Sequence, residues 1–155
     1  MKLVVWDTDN WKIIQTIENI HSEKITTANF SPNSEQIATG SNDDNVYVWN
    51  WKTGEKYREF YHGGDVNALV FSPDGKELLV TDWDRSTTRW NIEADEEIAA
   101  YDTDQNYSLA YSPKGNIFAT GKNNGEVNLW NTDDGRLLKT LKGHKDNVWD
   151  INFSP

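Results

Sequence analysis

The chain has 155 residues, with 25 acidic against 15 basic side chains and a formal net charge of −10. This balance argues against nucleic acid and anionic membranes as partners, because both attract clustered Lys and Arg. The absence of cysteine excludes disulfide bonds and thiolate chemistry. No apolar run reaches the length of a membrane span, and the short apolar start from Met1 to Asp7 is not a signal peptide. The cytosol is therefore the expected compartment.

Short runs of β-branched and aromatic residues follow one another along the chain, bounded by Gly, Asn, Asp or Ser. No stretch combines a helical period of 3.6 residues with caps, so the sequence predicts an all-β chain. The clearest runs are Leu3 to Trp6, Lys12 to Ile17, Gln36 to Ser41, Val46 to Asn50, Lys56 to Tyr61 and Val66 to Phe71.

Two sequence markers recur with the same period. Trp followed by Asp or Asn occurs at Trp6, Trp49, Trp90 and Trp130, and Ser-Pro begins at Ser31, Ser72, Ser112 and Ser154. A period of roughly 40–45 residues with a terminal Trp-Asp is typical of a propeller blade of four strands.

If strands a to d run outward from the propeller axis, each Ser-Pro closes strand a and each Trp closes strand c. This predicts an arc of a β-propeller with three complete four-stranded blades and one incomplete blade split between the termini. The expected divisions are strands c and d of the broken blade (1–20), complete repeats (21–61, 62–101, 102–142) and a lone strand a from Val148 to Phe153 (143–155).

Two segments carry a resemblance to a known family. Gly143 to Pro155 follows a Gly-His to Phe-Ser-Pro pattern, and Ala38 to Asp43 is followed by Val46 to Asn50 at the matching distance. The chain thus resembles the WD40-repeat family over its whole length. The resemblance implies a non-catalytic scaffold that binds a protein or peptide partner, without a cofactor. The alternative is an oligomerisation module that completes a ring through its open edge strands; a propeller hydrolase or lectin comes third.

The family resemblance also implies a hydrogen-bonded tetrad in each blade, made of His, Ser or Thr, Asp and Trp. The first complete blade has the full set, whereas the second has Val80 at the hydroxyl position. In the third, Asp102 is expected at the His position and Asn124 at the Asp position. The expected tetrad residues are His21, Thr39, Asp43 and Trp49; His62, Asp84 and Trp90; Thr120 and Trp130; and His144.

The partner-binding surface implied by the resemblance is the top face of the propeller, made of the loops before strand a and the b–c turns. Trp11 and Trp51 are instead expected at the bottom rim, in the c–d turns. The expected top-face residues are Lys24, Asp65, Trp83, Arg85, Gln105, Asn123, Asn147 and Trp149.

The sequence offers no catalytic or metal-binding motif. The three His residues fall on different blades, so their spacing is not that of a local metal site. The acidic pairs Asp43-Asp44 and Asp133-Asp134 and the run from Glu93 to Glu97 fall in turns or at a strand edge. There, solvated side chains are a better interpretation than glycosidase carboxylates.

Overall fold

The computed structural model describes residues 1–83, 86–103 and 105–155. Regular structure in these residues consists of β-strands in four antiparallel sheets, which confirms the predicted all-β class and blade architecture. No helix in the described ranges could span a membrane. The first sheet pairs β1 (Lys2–Asp7) with β2 (Lys12–Glu18).

The other three sheets have four strands each, hydrogen-bonded in chain order. The first complete sheet contains β3 (Ile25–Phe30), β4 (Gln36–Ser41), β5 (Asn45–Asn50) and β6 (Glu55–Tyr61). The second contains β7 (Val66–Phe71), β8 (Glu77–Asp82), β9 (Ser86–Asn91) and β10 (Glu96–Asp102). The third contains β11 (Asn106–Tyr111), β12 (Ile117–Lys122), β13 (Glu126–Asn131) and β14 (Leu137–Lys142).

The Asp or Asn that follows each repeated Trp organises the turn between the third and fourth strands. Asn50 shows the pattern: its side-chain Oδ1 accepts hydrogen bonds from the backbone N–H groups of Lys52 and Thr53, at 3.1 and 3.2 Å. Its backbone carbonyl accepts the N–H of Gly54, which has a φ of 78°. Asx side chains favour turns because they bond the backbone in this way. The same side-chain contacts recur at Asp7, Asn91 and Asn131.

The serine of each of the first three Ser-Pro pairs holds the turn between the first and second strands. The hydroxyl of Ser31 accepts the backbone N–H of Gln36 at 2.9 Å, and Ser72 accepts that of Glu77 at 3.0 Å. Ser112 makes the corresponding bond to the N–H of Ile117 at 3.2 Å. The Ser-Pro period therefore reflects the same serine hydrogen bond, repeated in the first hairpin of each complete sheet.

The apolar core lies between neighbouring sheets. One cluster joins Val46 and Phe60 of the first complete sheet to Leu69, Phe71 and other residues of the second. Another joins the second sheet to the third, and a third joins β2 to the first complete sheet. Each sheet thus buries its faces against the sheets before and after it, which is why β4, β8 and β12 are buried along almost their whole length.

Hydrogen bonds along the inner strands reinforce this stacking. Side chains of one inner strand donate to backbone carbonyls of the next, 39 or 40 residues later in the chain. The bonds run from Thr26 to Val66, Asn29 to Leu69, Asn67 to Asn106, and Ser108 to Val148.

The prediction of a lone strand from Val148 to Phe153 is wrong, because the described part of the chain has fourteen strands and none after Lys142. A strand needs a ladder partner, and the described residues contain no second strand of this blade. The segment still occupies the expected place: the Val148 N–H donates to the Lys122 carbonyl at 3.0 Å, and the Val148 carbonyl accepts Ser108 Oγ at 2.8 Å. It therefore lies beside the third sheet as the next inner strand would.

Residues at equivalent positions show that the arc has two uncovered faces. The aromatic side chain at the end of the inner strand is 5% exposed at Phe71 and 8% at Tyr111, but 51% at Phe30, where the preceding sheet lacks its inner strands. At the other end, Leu141 is 41% exposed, although the equivalent Phe60 is buried against the following sheet. The first and last complete sheets thus each expose an apolar side chain that a further neighbouring sheet would bury.

Candidate functional site

The first complete sheet brings together all four residues of its expected tetrad. The imidazole of His21 lies 3.0 Å from Asp43 through Nδ1 and 2.9 Å from the Thr39 hydroxyl through Nε2. The same hydroxyl accepts the indole N–H of Trp49 at 3.0 Å. The ring of His21 also stacks on Tyr47, with centroids 4.4 Å apart. Every buried polar group in this chain of bonds has a partner, as a low-dielectric interior requires.

The tetrad holds a charged carboxylate beside a largely neutral imidazole. Burial lowers the pKa of His21, and this effect outweighs the hydrogen bond and charge of Asp43. Burial alone would raise the pKa of Asp43, but hydrogen bonds from the Ser22 N–H and from His21 reverse the shift, so the pKa of this carboxyl is lowered. The hydrogen bonds from His21 and the Ser22 N–H to Asp43 join the loop before β3 to the turn after β4.

In the second complete sheet, the hydroxyl has moved to the neighbouring strand. Val80 takes the place of Thr39, and its cross-strand neighbour is Thr88, whose hydroxyl bonds His62 Nδ1 at 2.9 Å. His62 Nε2 lies 3.2 Å from Asp82, without the alignment of a hydrogen bond. The expected partner Asp84 lies outside the described residues.

Moving the hydroxyl leaves the indole of Trp90 without the partner that its equivalents have. Its Nε1 is buried and has no hydrogen bond among the described residues.

An arginine that reaches the next sheet has also changed strands, in this case between β9 and β10. Arg58 of β6 donates to the Ile92 carbonyl of the next sheet at 2.8 Å. In the second sheet that position is Ala99, and its cross-strand neighbour Arg89 reaches the Thr132 carbonyl at 2.6 Å instead.

In the third complete sheet, the tetrad is reduced to the bond from Trp130 Nε1 to the Thr120 hydroxyl, at 3.0 Å. The assignment of Asp102 to the His position is wrong, because Asp102 ends β10 and is exposed. The residue after the strand, Thr103, is buried there, as His62 follows the end of β6. Its hydroxyl bonds Thr87 and the Asn106 amide, both at 2.7 Å. A Thr–Asn network thus replaces the imidazole at this junction.

The remaining predicted histidine, His144, is exposed beyond the third sheet. Among the described residues, no strand follows it that could supply a hydroxyl and a carboxylate. Its backbone carbonyl instead lies against Gly125, where a Cβ atom would come within 2.4 Å of it. The backbone at His144 therefore makes a close contact with the turn that contains Gly125.

Replacing Asp43 with Ala should destabilise the chain by about 1–3 kcal/mol, because the buried imidazole of His21 and the Ser22 N–H lose their acceptor. Asn124→Ala is the matched control, since Asn124 is exposed and its Oδ1 accepts the Glu126 N–H, at 3.0 Å, in a solvated turn. Urea unfolding of both variants measures the difference. Equal losses would contradict the structural role of the tetrad.

Val80→Thr should raise the free energy of unfolding by about 1 kcal/mol, because the new hydroxyl can accept the indole N–H of Trp90. Val48→Thr provides the control: Val48 is equally buried, and the repeat indole of its own sheet, Trp49, already donates to Thr39. This variant should lose about 1–3 kcal/mol through an unpaired buried hydroxyl. Urea midpoints that fall equally for both variants would show that the second sheet does not accept the hydroxyl at Val80.

The structure separates most of the predicted top-face residues into two groups. A polar chain links Gln105 to Asn123 at 3.0 Å, and Asn123 to Asn147 at 2.8 Å when the Asn147 amide is oriented to donate. An aromatic group contains Trp83 and Trp149. Of the others, Lys24 is exposed, Asp65 is half-buried before β7, and Arg85 lies outside the described residues.

A third aromatic residue, Tyr107, joins the two tryptophans. Its ring centroid lies 4.8 Å from Trp83 and 4.7 Å from Trp149, with edge-to-face geometry at both. We call Trp83, Tyr107 and Trp149 the aromatic row. It lies on the wall of an open groove of about 680 Å³, formed by β3, β7, β11 and residues 149–153. Trp83 is 38% exposed and Trp149 68%.

Sequence reasoning missed Tyr107, although its position carried a signal. Thr26 and Asn67 occupy the same place on β3 and β7 and donate the hydrogen bonds between inner strands. At Tyr107 an aromatic ring interrupts this polar series, and the next residue, Ser108, makes the inter-sheet bond instead. The side chain at position 107 is therefore not needed for this hydrogen bond, because Ser108 makes it.

Metal binding has no support in the described ranges, where no group of three or more His, Asp or Glu side chains could hold an ion. The carboxylates of Asp133 and the neighbouring Asp134 lie in the exposed turn after β13, where backbone N–H groups bond to Asn131 and Asp134. The groove with the aromatic row is thus the better candidate site.

Comparison with known families gives matches in all three complete sheets. The family model described as "WD domain, G-beta repeat" matches residues 11–50 and 54–91, and that described as "Anaphase-promoting complex subunit 4 WD40 domain" matches residues 100–155.

Three curated relatives illustrate the range of similar proteins. Periodic tryptophan protein 2 of Arabidopsis thaliana is 30% identical over 99% of this chain and 18% of its own length. Meiotic recombination protein rec14 of Schizosaccharomyces pombe is 33% identical over 77% of the chain and 41% of its own length. Eukaryotic translation initiation factor 3 subunit I of Lodderomyces elongisporus is 28% identical over 97% and 50%. The chain therefore spans half or less of these relatives.

Proposed function

The chain belongs to the WD40-repeat family, and on that premise we propose that it binds a peptide segment of a protein partner at the aromatic row. Proteins of this family generally act as non-catalytic scaffolds that bind other proteins. The exposed indole of Trp149, packed edge-to-face on Tyr107 at the groove, is the observation that carries the proposal.

Exposed Trp and Tyr side chains are favoured anchors at protein interfaces because they bury a large area on binding. Here the anchors are already held: Tyr107 contacts both tryptophans, and the strand that carries it is bonded to the neighbouring sheets through Asn67 and Ser108. A partner segment that docks on a rigid surface avoids the entropy cost of ordering that surface. The geometry thus supports binding of a partner segment, which involves no catalytic step.

The test is a selection of random linear peptides displayed on phage against the 155-residue chain. Trp149→Ala should weaken the selected peptides by at least tenfold, as expected for an interface anchor of about 2 kcal/mol. Trp11→Ala is the matched control, because Trp11 is an equally exposed indole, 73% accessible, in the turn between β1 and β2. Circular dichroism establishes that both variants keep the fold. Selected peptides that bind both variants as well as the parent chain would overturn the proposal.

Phe30 and Leu141 favour a second function, an oligomerisation module that completes a ring with another chain. Both are exposed at positions that are buried elsewhere in the repeat, and the inner edge of β1, opposite β2, is unpaired within the described residues. Free strand edges are templates for pairing with another chain.

Light scattering behind a sizing column, over a range of protein concentrations, tests this second function. A ring built from two copies gives a discrete dimer, and Leu141→Glu should shift it to monomer by placing a charge in the apolar contact. A compact monomer of the parent chain at all concentrations would rule out self-association as the function of these faces.

A further inference from the structure

We propose that the aromatic row takes a cationic side chain of the partner, the guanidinium of Arg or the ammonium of Lys, over the indole face of Trp149. This inference rests on the proposed function and adds the chemistry of the residue that is recognised. The geometry of the row, the chain's own use of aromatic faces and the distribution of charge support it independently.

The rings of the row leave an indole face open. Trp149 meets Tyr107 at an interplanar angle of 69°, and Trp83 meets it at 90°. An aromatic ring has two faces, so Tyr107 covers at most one face of each tryptophan. Since Trp149 is 68% exposed, its second face is accessible to solvent at the groove.

Three aromatic rings elsewhere on this molecule are covered by the chain's own cations. Lys56 lies over the ring of Tyr47 at 4.4 Å and Arg58 over that of Tyr57 at 4.2 Å. Lys52 lies over Trp51 at 5.8 Å. In the part of the chain that the structure describes, no cation covers a ring of the aromatic row. Because the negative face of an indole attracts a cation more strongly than other aromatic rings do, a partner's cation fits this vacant position.

The charges along the groove favour a cation at the Trp149 end. Among the residues that line the groove, the charged ones are Asp150, next to Trp149, and Lys24. Lys24 precedes β3, and the inter-sheet bonds place β7 and β11 between β3 and the Trp149 segment. The net charge of −10 adds attraction for a basic segment and disfavours an acidic one.

A proline-rich or purely apolar segment would also pack on aromatic rings, but it would make no use of Asp150. Citrulline distinguishes these partners, because it has the shape of arginine without its charge. The experiment uses short glycine-serine peptides with one central Arg, citrulline or Glu. Binding is followed by the indole N–H signals of Trp83 and Trp149 in NMR spectra of isotope-labelled chain, so that Trp83, which packs on the same Tyr107 ring, still reports binding in the Trp149 variants.

The Arg peptide should bind at least about fivefold more tightly than the citrulline peptide, and the Glu peptide more weakly than both. Trp149→Ala should remove the difference, Trp149→Phe should keep part of it, and Asp150→Asn should reduce it. Trp11→Ala should leave all three affinities unchanged.

Equal binding of the Arg and citrulline peptides, or no shift with the Arg peptide at millimolar concentration, overturns the cation proposal. If phage-selected peptides still bind through Trp149 without a basic residue, the proposed function stands and only this inference fails. If no selected peptide depends on Trp149, the proposed function itself fails.

Discussion

Burial between neighbouring sheets is the interaction on which the rest of this structure depends. A single four-stranded sheet cannot cover both of its apolar faces, so each sheet is stable only beside another. Phe60, Leu69 and Phe71 meet across the first junction, and Leu79 meets Phe118 across the second. The tetrad, the arginines that reach the next sheet and the bonds between inner strands all act at or beside these junctions. The positions of Trp83, Tyr107 and Trp149 at the groove therefore follow from the stacking.

The same dependence explains how the repeats tolerate change. In the second sheet the tetrad hydroxyl and the bridging arginine have each moved to the cross-strand neighbour, at Thr88 and Arg89. Side chains of directly opposed residues in a sheet lie within about 5.5 Å of each other, so a group can change strands and still reach its partner. The exchange is incomplete, because the indole of Trp90 keeps no acceptor among the described residues.

Rigid stacking also gives the groove its functional character. Tyr107 lies at a position that elsewhere carries an inter-sheet donor, and Ser108 makes that bond in its place. The fold thus keeps its connection between sheets while an aromatic ring becomes available at the groove wall. Trp83 and Trp149 are brought to this ring from positions 24 and 42 residues away in the sequence. Binding at such a surface requires no conformational change.

The sequence by itself determined the elements that local chemistry controls. The Trp-Asx and Ser-Pro periods report turn hydrogen bonds within about five residues, such as those of Asn50 and Ser31, so they predict strands, hairpins and the repeat. The residues of the first tetrad were also predictable, because a regular repeat carries their spacing. The other features depend on tertiary structure: the burial of Thr103 instead of Asp102, the part played by Tyr107 and the lack of a strand in the last segment, 143–155. These depend on contacts between sheets some 40 residues apart, where packing and the presence of a neighbour outweigh any local pattern.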